Sequence, residues 1–255
     1  MTYIDTHTHN YDEAYIGEED EVIARAVEAG VTKLIQPDID SNERDKMFEL
    51  NARHPGVLFP MLGLYPGSVT KGWEAEIDKM LPYREKGIVA IGEIGLDFHS
   101  SREFEKEQEA AFIRQLELAD KWDLPVNIHE RDSLNVFFRV MEKCKHLNIR
   151  GNMHAFSGSF ETFTQLQKYG EWYVGIGGIV TFKKASIAET IKKIPLDRIL
   201  LETDSPYLTP TPFRGMRNES KYIPLIAAKI AEQKGISQEE VAIQTTANAQ
   251  KLFGI

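Results

Sequence analysis

Six residues of types that commonly bind metal ions lie at the ends of short apolar segments of the sequence. A titratable side chain directly after a buried strand is costly to bury unless a partner neutralises it. Imidazole and carboxylate groups together suit hard or borderline divalent cations. Six such positions are hard to explain by packing, so they predict a metal site. They are His7, His9, Glu93, His129, His154 and Asp204.

The clearest local signal is the run Asp5-Thr6-His7-Thr8-His9. On a β-strand, residues two apart point to the same face, so the two imidazoles would lie side by side. Together they would form half of a tetrahedral metal cage. An isolated pair of this kind also arises by chance, as core or surface histidines, so the interpretation depends on the other four residues.

The number of candidate ligands predicts two metal ions. Four histidines and two carboxylates exceed what one tetrahedral ion needs, and Glu93 could bridge a pair. Two cations about 3.5–4 Å apart polarise a phosphoryl oxygen and lower the pKa of a bound water. Asp204 is then the expected proton acceptor for that water, with Glu93 as the second catalytic residue. Zn, Mg, Mn or Co would suit these ligands, and the sequence does not choose among them.

Several neighbouring residues are candidates for substrate binding. Arg131 lies two residues after His129 and could reach a phosphate from the same rim. Ser157 opens the run Ser157-Gly158-Ser159 before a helical pattern, where backbone N–H groups can bind an anion. Lys183 and Arg214 fall in the loops after the last two apolar segments. For each of them, a solvated surface charge or an ordinary helix cap is the alternative.

The elements that must position these residues alternate between short apolar segments and longer amphipathic ones. The clearest helical pattern is Glu105–Trp122, and Leu225–Lys234 and Val241–Phe253 are the expected closing helices. Eight strand–helix alternations predict an α/β chain folded as one (β/α)₈ TIM barrel over residues 1–255, with the active site at the carboxyl ends of the strands. The predicted strands are Tyr3–Thr6, Lys33–Gln36, Leu58–Leu64, Val89–Ile94, Val126–Ile128, Ile149–His154, Trp172–Ile176 and Ile199–Leu201.

Composition limits the classes of partner. The net charge of −9 argues against a broad basic surface and predicts weak, salt-sensitive binding of nucleic acid. The N-terminus has no basic and apolar leader pattern, and no apolar run approaches the length of a membrane span. The single cysteine, Cys144, fits a reducing compartment. We therefore expect a cytoplasmic monomer that has no membrane association and no obligate protein partner.

The motifs, taken in order along the chain, resemble those of the TatD family of metal-dependent deoxyribonucleases, within the amidohydrolase-like superfamily. The resemblance extends over essentially the whole chain. The motif that contains Asp204, with its Arg-Gly and Asn-Glu tail, is highly specific, whereas the two-histidine motif is shared by the wider superfamily. The matching segments are Asp5–His9, Gly92–Phe98, Leu124–Arg131, His154–Gly158, Leu201–Leu208 and Thr211–Gly215 with Asn218-Glu219.

The resemblance implies a TIM barrel with a dinuclear site that hydrolyses ester bonds, often DNA phosphodiesters. It implies that His129 and His154 would hold the second ion, that Glu93 would be shared, and that Asp204 would also act in acid–base catalysis. The first ion would be held by His7, His9 and Asp204.

Two positions depart from the family pattern. The family often has histidine in the loop after the third strand, where this chain has Tyr65 within Gly63-Leu64-Tyr65-Pro66. A tyrosine hydroxyl can still bind a phosphate, although it is uncharged at neutral pH, so Tyr65 joins the predicted substrate contacts. Asn10 replaces a residue that is commonly apolar, which would alter the rim of the pocket rather than the metal cage.

Three functions follow from this pattern. The leading one is a deoxyribonuclease that cleaves DNA ends or single strands, because a recessed barrel mouth admits a single strand more easily than a duplex. The second keeps the metal site but acts on a small phosphoester, ester, lactone or amide, since a fold and its metals do not determine the substrate. The third is a metal-binding protein without turnover, against which the complete set of ligands argues.

Overall fold

The computed structural model describes all 255 residues, in which eight strands alternate with helices along the chain. The strands are β1 (Tyr3–Asp5), β2 (Val31–Gln36), β3 (Leu58–Leu62), β4 (Ala90–Asp97), β5 (Val126–Arg131), β6 (Gly151–Met153), β7 (Trp172–Ile176) and β8 (Ile199–Leu201). The helices are α1 (Glu19–Glu28), α2 (Arg44–Arg53), α3 (Trp73–Met80), α4 (Glu105–Trp122), α5 (Leu134–Lys143), α6 (Phe160–Leu166), α7 (Ile187–Lys193), α8 (Ile223–Lys234) and α9 (Gln238–Phe253).

The strands form one parallel sheet in the order β1 to β8, and the sheet curls until its two edges meet. Thr6 donates a backbone hydrogen bond to the carbonyl of Leu201, and Thr8 forms a parallel bridge with Ser205. All the strand carboxyl ends therefore face one end of the barrel, where the βα loops lie. This confirms the predicted (β/α)₈ barrel.

Most predicted strands are in place, but several end elsewhere than expected. β4 and β5 extend further because their ladder continues past Ile94 until Asp97 pairs with Arg131. β3 and β6 are shorter, and His154 lies in the turn after β6. α4 and the strands β7 and β8 have the predicted bounds, whereas α8 and α9 begin two and three residues earlier than predicted.

Helix capping explains one of these earlier starts. Ser237 and Glu240 form a complete capping box, which starts α9 at Gln238. The similar Ser-x-x-Glu run at Ser100 does not cap α4, because that helix begins only at Glu105 and its N-cap residue, Phe104, has no side-chain cap bond.

The core has a large cluster of 45 buried residues that joins strands and helices, and a smaller one that ties the C-terminus to the barrel. In the smaller cluster, Leu252 and Phe253 of α9 pack with Ile4 of β1 and Leu200 of β8. The last helix is thus anchored against the strands where the barrel closes. No helix is both long and apolar enough to cross a bilayer.

Candidate metal centre

The structure brings all six predicted ligands together at the carboxyl end of the barrel. Glu93 lies on β4 and His129 on β5, while the other four lie just beyond the ends of β1, β6 and β8. Their side chains range from fully buried, for His7, to 17% exposed, for Asp204. The parallel strands explain the convergence, because their carboxyl ends lie at one end of the barrel although the residues are far apart in sequence.

Glu93 divides this cluster into two groups of donor atoms. Its Oε2 atom lies 3.4 Å from Nε2 of His7 and 3.9 Å from Nε2 of His9. Its Oε1 atom lies 2.9 Å from both Nδ1 of His129 and Nε2 of His154. One carboxylate therefore faces two sets of imidazoles with its two oxygens, which is the arrangement that a bridging ligand requires.

The first group fits a tetrahedral cation. For ligand bonds of about 2.0–2.1 Å, neighbouring donor atoms of a tetrahedral site are about 3.3–3.5 Å apart. Nε2 of His7 lies 3.2 Å from Nε2 of His9 and 3.6 Å from Oδ1 of Asp204, and the His9–Asp204 separation is 3.5 Å. These three donors, with Oε2 of Glu93, have the chemistry and the spacing of a metal cage.

The second group is more compact. Nδ1 of His129 and Nε2 of His154 are 3.1 Å apart, and each lies 2.9 Å from the carboxylate of Glu93. The His154 ring also stacks on His7 at 3.9 Å, so His7, Glu93 and His154 form a second set of mutually close donors. The stacked rings of His7 and His154 therefore lie where the two groups meet.

Hydrogen bonds on the outer side of three histidines orient their rings. Nδ1 of His7 is 2.9 Å from Oδ1 of Asn127, and Nε2 of His129 is 2.9 Å from Oδ2 of Asp97. The oxygen of Tyr11, whose hydroxyl donates to Pro37, lies 3.3 Å from Nδ1 of His9. An imidazole that donates its N–H outward presents the lone pair of its other nitrogen inward, as a ligand must.

His154 has a different outer partner. Oε1 of Glu202 lies 3.9 Å from Nδ1 of His154 and accepts a hydrogen bond from the backbone of Ala155. Oε2 of Glu202 and Nδ1 of His154 are both buried without a hydrogen-bond partner. Burial raises the pKa of Glu202 well above its usual value. Glu202 fits here only because residue 175 is glycine, since a Cβ there would lie 1.8 Å from Oε2.

Burial and mutual contacts shift the pKa values of the clustered imidazoles and carboxylates. Burial lowers the pKa of His7 to about 4, and the proximity of His154 acts in the same direction, so His7 is neutral at pH 7. Burial opposes ionisation of Glu93, but His154 and His129 outweigh it and hold the pKa of Glu93 well below its usual value. For His129, burial is outweighed by Asp97 and Glu93, which raise its pKa to about 9. Cation binding here would have to release protons from the imidazoles.

Asp204 is held in position by its own backbone and by Asn218. It adopts a left-handed conformation with φ of 54°, and its N–H donates to the carbonyl of His7. Nδ2 of Asn218 donates to the carbonyls of Thr203, at 2.9 Å, and Tyr207, at 2.6 Å. Burial raises the pKa of Asp204, but the hydrogen bond from His9 and the nearby imidazoles lower it overall, so the carboxylate is ionised.

The cluster forms the floor of a cavity of about 830 Å³ at the barrel mouth. Among the predicted substrate contacts, Tyr65, Arg131 and Ser157 line this cavity. Arg214 and Lys183 are not among its lining residues, and the guanidinium of Arg214 instead lies 4.0 Å from the ring centroid of Phe182. The positive charge of Arg214 is therefore stabilised by a cation–π contact with Phe182, outside the cavity lining.

Part of the predicted anion site before α6 already forms a hydrogen bond within the protein. Ser159 is the N-cap of this seven-residue helix and accepts the backbone N–H of Thr162. Ser157 remains exposed at the mouth.

Several residues of the site were not predicted from the sequence. Asp97, Asn127 and Glu202 lie within the motifs named above, but the sequence analysis assigned no role to them. Tyr207, which is 55% exposed at the mouth and donates to Asp12, was also missed. For Asn127 the available signal was a polar residue two positions before His129 on the same strand, because such residues share a face. Glu202 lies after the end of β8, where this strand periodicity does not apply.

Comparison with known proteins places this chain among similar metal-dependent hydrolases. The family model described as "TatD related DNase" matches residues 4–254. An uncharacterized metal-dependent hydrolase of Bacillus subtilis, YabD, is 37% identical over 254 residues, which are 98% of each chain. The 3'-5' ssDNA/RNA exonuclease TatD of Pantoea ananatis is 34% identical, over 94% of this chain and 95% of that protein.

A solved structure agrees with these sequence matches. The crystal structure of YjjV, a TatD homologue of Escherichia coli K12, superposes with a TM-score of 0.92 at 28% identity. The match covers 99% of this chain and 98% of that one. The similarity in fold therefore extends over the whole barrel.

Proposed function

The chain belongs to the TatD-related DNase family of metal-dependent hydrolases, and from that premise we propose that it is a nuclease that cleaves phosphodiester bonds in single-stranded DNA or at DNA ends. The observation that carries the proposal is the division of the donor cluster by the two oxygens of Glu93. A relative named as a single-strand DNA and RNA exonuclease supports the choice of substrate.

In this proposal two divalent ions are held at the barrel mouth. His7, His9 and Asp204 would hold one ion, His129 and His154 the other, and Glu93 both. When bound, such ions polarise a phosphoryl oxygen and make a water more acidic. The donor set suits Zn, Mn, Co or Mg.

The protein's own groups supply position and proton transfer. Asp204 is ionised and faces the cluster from the β8 loop, so it is placed to take a proton from the attacking water and to return it to the leaving oxygen. Asn127 and Asp97 keep the imidazoles of His7 and His129 turned inward. Asn218 keeps the Asp204 loop in one conformation.

The mouth provides groups for a nucleic-acid strand. Burial raises the pKa of Tyr65, so its hydroxyl stays protonated. The hydroxyl donates to Oδ2 of Asp97 at 3.3 Å, and it would have to leave that long bond to donate to a phosphate oxygen. Tyr207 offers an exposed aromatic face on which an unpaired base could stack. Both fit a single strand better than a duplex, whose bases are already stacked. We further propose that the protein acts as a monomer in the cytoplasm, in line with its single cysteine.

The test begins with protein stripped of metal and reloaded separately with Mg, Mn, Co or Zn. Single-stranded DNA, a small phosphodiester, a carboxylic ester and a lactone are then offered to each form. We expect metal-dependent cleavage of DNA that disappears in both Glu93→Ala and Asp204→Asn. Cleavage that persists in these variants would point to a contaminating nuclease and contradict the proposal.

A second candidate function keeps the metal site and changes the substrate to a small phosphoester, ester, lactone or amide. The acidic residues of the cavity lining, which include Asp12 and Glu13, favour it, because they disfavour a long polyanion. Turnover of a small substrate with intact DNA under every metal would establish this function instead.

A further inference from the structure

The cavity lining has few positive charges for a nuclease. Its only lysine and arginine are Lys46 and Arg131. Lys46 is already paired, because its Nζ lies 3.0 Å from one carboxylate oxygen of Glu43 and 3.3 Å from the other. Arg131 is exposed and forms no side-chain hydrogen bond or ion pair within the protein. Arg131 is thus the one cation at the mouth that is free to meet a phosphate.

The other charged residues of the lining are acidic. Besides the carboxylates of the metal cluster and the paired Glu43, the lining contains Asp12, Glu13 and Glu130. Asp12 and Glu130 accept hydrogen bonds from neighbouring groups but have no cationic partner, and Glu13 is exposed. A nucleic-acid strand that continued past these residues would meet repulsion rather than further phosphate contacts.

The position of Arg131 relates it to the reacting centre. It lies two residues after His129 on β5, so the two side chains share a face of the strand. Two residues of strand span about 6.6 Å, which is comparable to the spacing of successive phosphates in an extended single strand. A phosphate at the metal cluster would therefore place its neighbour beside Arg131.

From these features we propose that the mouth binds one phosphate besides the scissile one, on Arg131, and no more. The preferred substrates would then be short single strands and chain ends of as few as three nucleotides, with no gain in affinity from additional length. The inference rests on the proposed nuclease function, and it identifies Arg131 as the residue that sets the length of strand recognised.

The experiment measures KM and kcat for a dinucleotide, a trinucleotide, a hexanucleotide and a 20-mer, all single-stranded DNA, in the most active metal-loaded form. The dinucleotide contains only the scissile phosphate and the trinucleotide has one more. We expect KM to fall about tenfold from the dinucleotide to the trinucleotide and then to stay constant, as for one charge-assisted phosphate contact. Arg131→Ala should remove that tenfold step, so that KM for the trinucleotide becomes equal to KM for the dinucleotide.

A gain of charge tests the acidic side of the mouth. Glu13→Lys should lower KM for the 20-mer severalfold and leave the dinucleotide unaffected, because it adds a contact that only a longer strand can reach. Glu28→Lys makes the same charge change at the exposed last residue of α1, which does not line the cavity, and should alter neither value. In the wild type, the dependence of kcat/KM on salt should be equal for the trinucleotide and the 20-mer.

The outcomes separate the two proposals. A KM that continues to fall with length, together with a steeper salt dependence for the 20-mer, would overturn the length inference and leave the nuclease function intact. Failure to cleave any of the oligonucleotides, with turnover of a small ester, would overturn both.

Discussion

Two clusters of buried carboxylates, both reached by the loop after β8, are neutralised in opposite ways. In the central cluster, the ion-pair partners of Glu93 and Asp204 are all imidazoles. In the other, Glu219 is met by fixed cations: Arg25 donates to both of its oxygens, at 2.8 and 3.0 Å, and Nζ of Lys221 lies 3.0 Å away. Glu219 is only 6% exposed, so both clusters face the same penalty for burying charge.

The difference teaches how to separate a structural carboxylate from one that awaits a metal ion. Arginine and lysine carry a permanent charge and complete the neutralisation of Glu219 when the chain folds. Imidazoles can give up their protons and then offer lone pairs, so a carboxylate cluster that they surround can still bind a cation from solution. Asp38 is a structural carboxylate like Glu219, because Nε of the buried Arg44 lies 2.7 Å from its carboxylate. The clusters should therefore respond differently to metal and to substitution.

The largest effect is expected at Glu93. Glu93→Gln retains the shape of the side chain but removes its charge and replaces one of the two oxygens that face the two groups of donor atoms. We expect the loss of at least one bound ion and a fall in kcat of about 10³-fold or more, since metal ions contribute several kcal/mol of transition-state stabilisation. Equilibrium dialysis with metal analysis counts the ions, and phosphodiester cleavage gives the rate. Unchanged metal content in this variant would contradict the assignment of Glu93 as a shared ligand.

The next effect should be on stability and should not depend on metal. Glu219→Gln leaves Arg25 and Lys221 without their carboxylate partner. Breaking a buried ion pair costs about 3–5 kcal/mol, and the partial exposure of Arg25 places this case near the lower end, at about 3 kcal/mol. Urea denaturation with and without chelator measures the change in the free energy of unfolding. A loss of stability that appears only in the metal-loaded protein would break the contrast between the clusters.

A smaller effect is expected from the residue that orients one of the ligands. Asp97→Asn weakens the carboxylate partner that turns His129 inward, and loss of such a partner typically lowers metal affinity about 10–100-fold. Asp132→Asn is the matched control, because Asp132 forms a similar bond to an imidazole, at 2.7 Å from Nδ1 of His99, on the protein surface. Titration with a competing chelator should show the loss in the first variant alone. Equal losses in both would mean that Asp97 acts only through its charge.

Much of this site could be predicted because the ligands stand at strand ends. His129 and Asp204 each follow an apolar run, and the parallel barrel brings such ends together whatever the sequence distance. The partners of those ligands could not be found this way. Asp97 meets His129 only because the β4–β5 ladder extends beyond its apolar part, and the run of residues along β4 does not reveal that register.

The strand and helix bounds show the same limit. Trp172–Ile176 was predicted to the residue because all of its residues except Gly175 are aromatic or β-branched, which favours a strand. The end of β5 was placed too early because its last three residues are polar, and the end of β4 because Gly95 and Asp97 are unfavourable in strands. The strand conformation of both ends depends on their pairing with each other rather than on local preference. Arg214 lies in the loop after β8, as predicted, but the sequence does not reveal that it stacks on Phe182, because this contact joins two loops that are distant in sequence.

The smallest effect is expected at the outer edge of the Glu219 cluster, and it sharpens the contrast by separating charge from burial. Arg217 also belongs to that cluster, because its Nη2 lies 3.6 Å from Oε1 of Glu219. Glu18 pairs with the same nitrogen at 2.8 Å, but the side chain of Glu18 is 56% exposed. Solvent screens such a pair, so Glu18→Gln should leave the urea midpoint unchanged within error. The substitution is the same as at Glu219, in the same network, and differs only in burial. If Glu18→Gln destabilised the protein as much as Glu219→Gln, net charge rather than desolvation would govern this cluster, and the argument that the central carboxylates need a metal ion because they are buried would lose its physical basis.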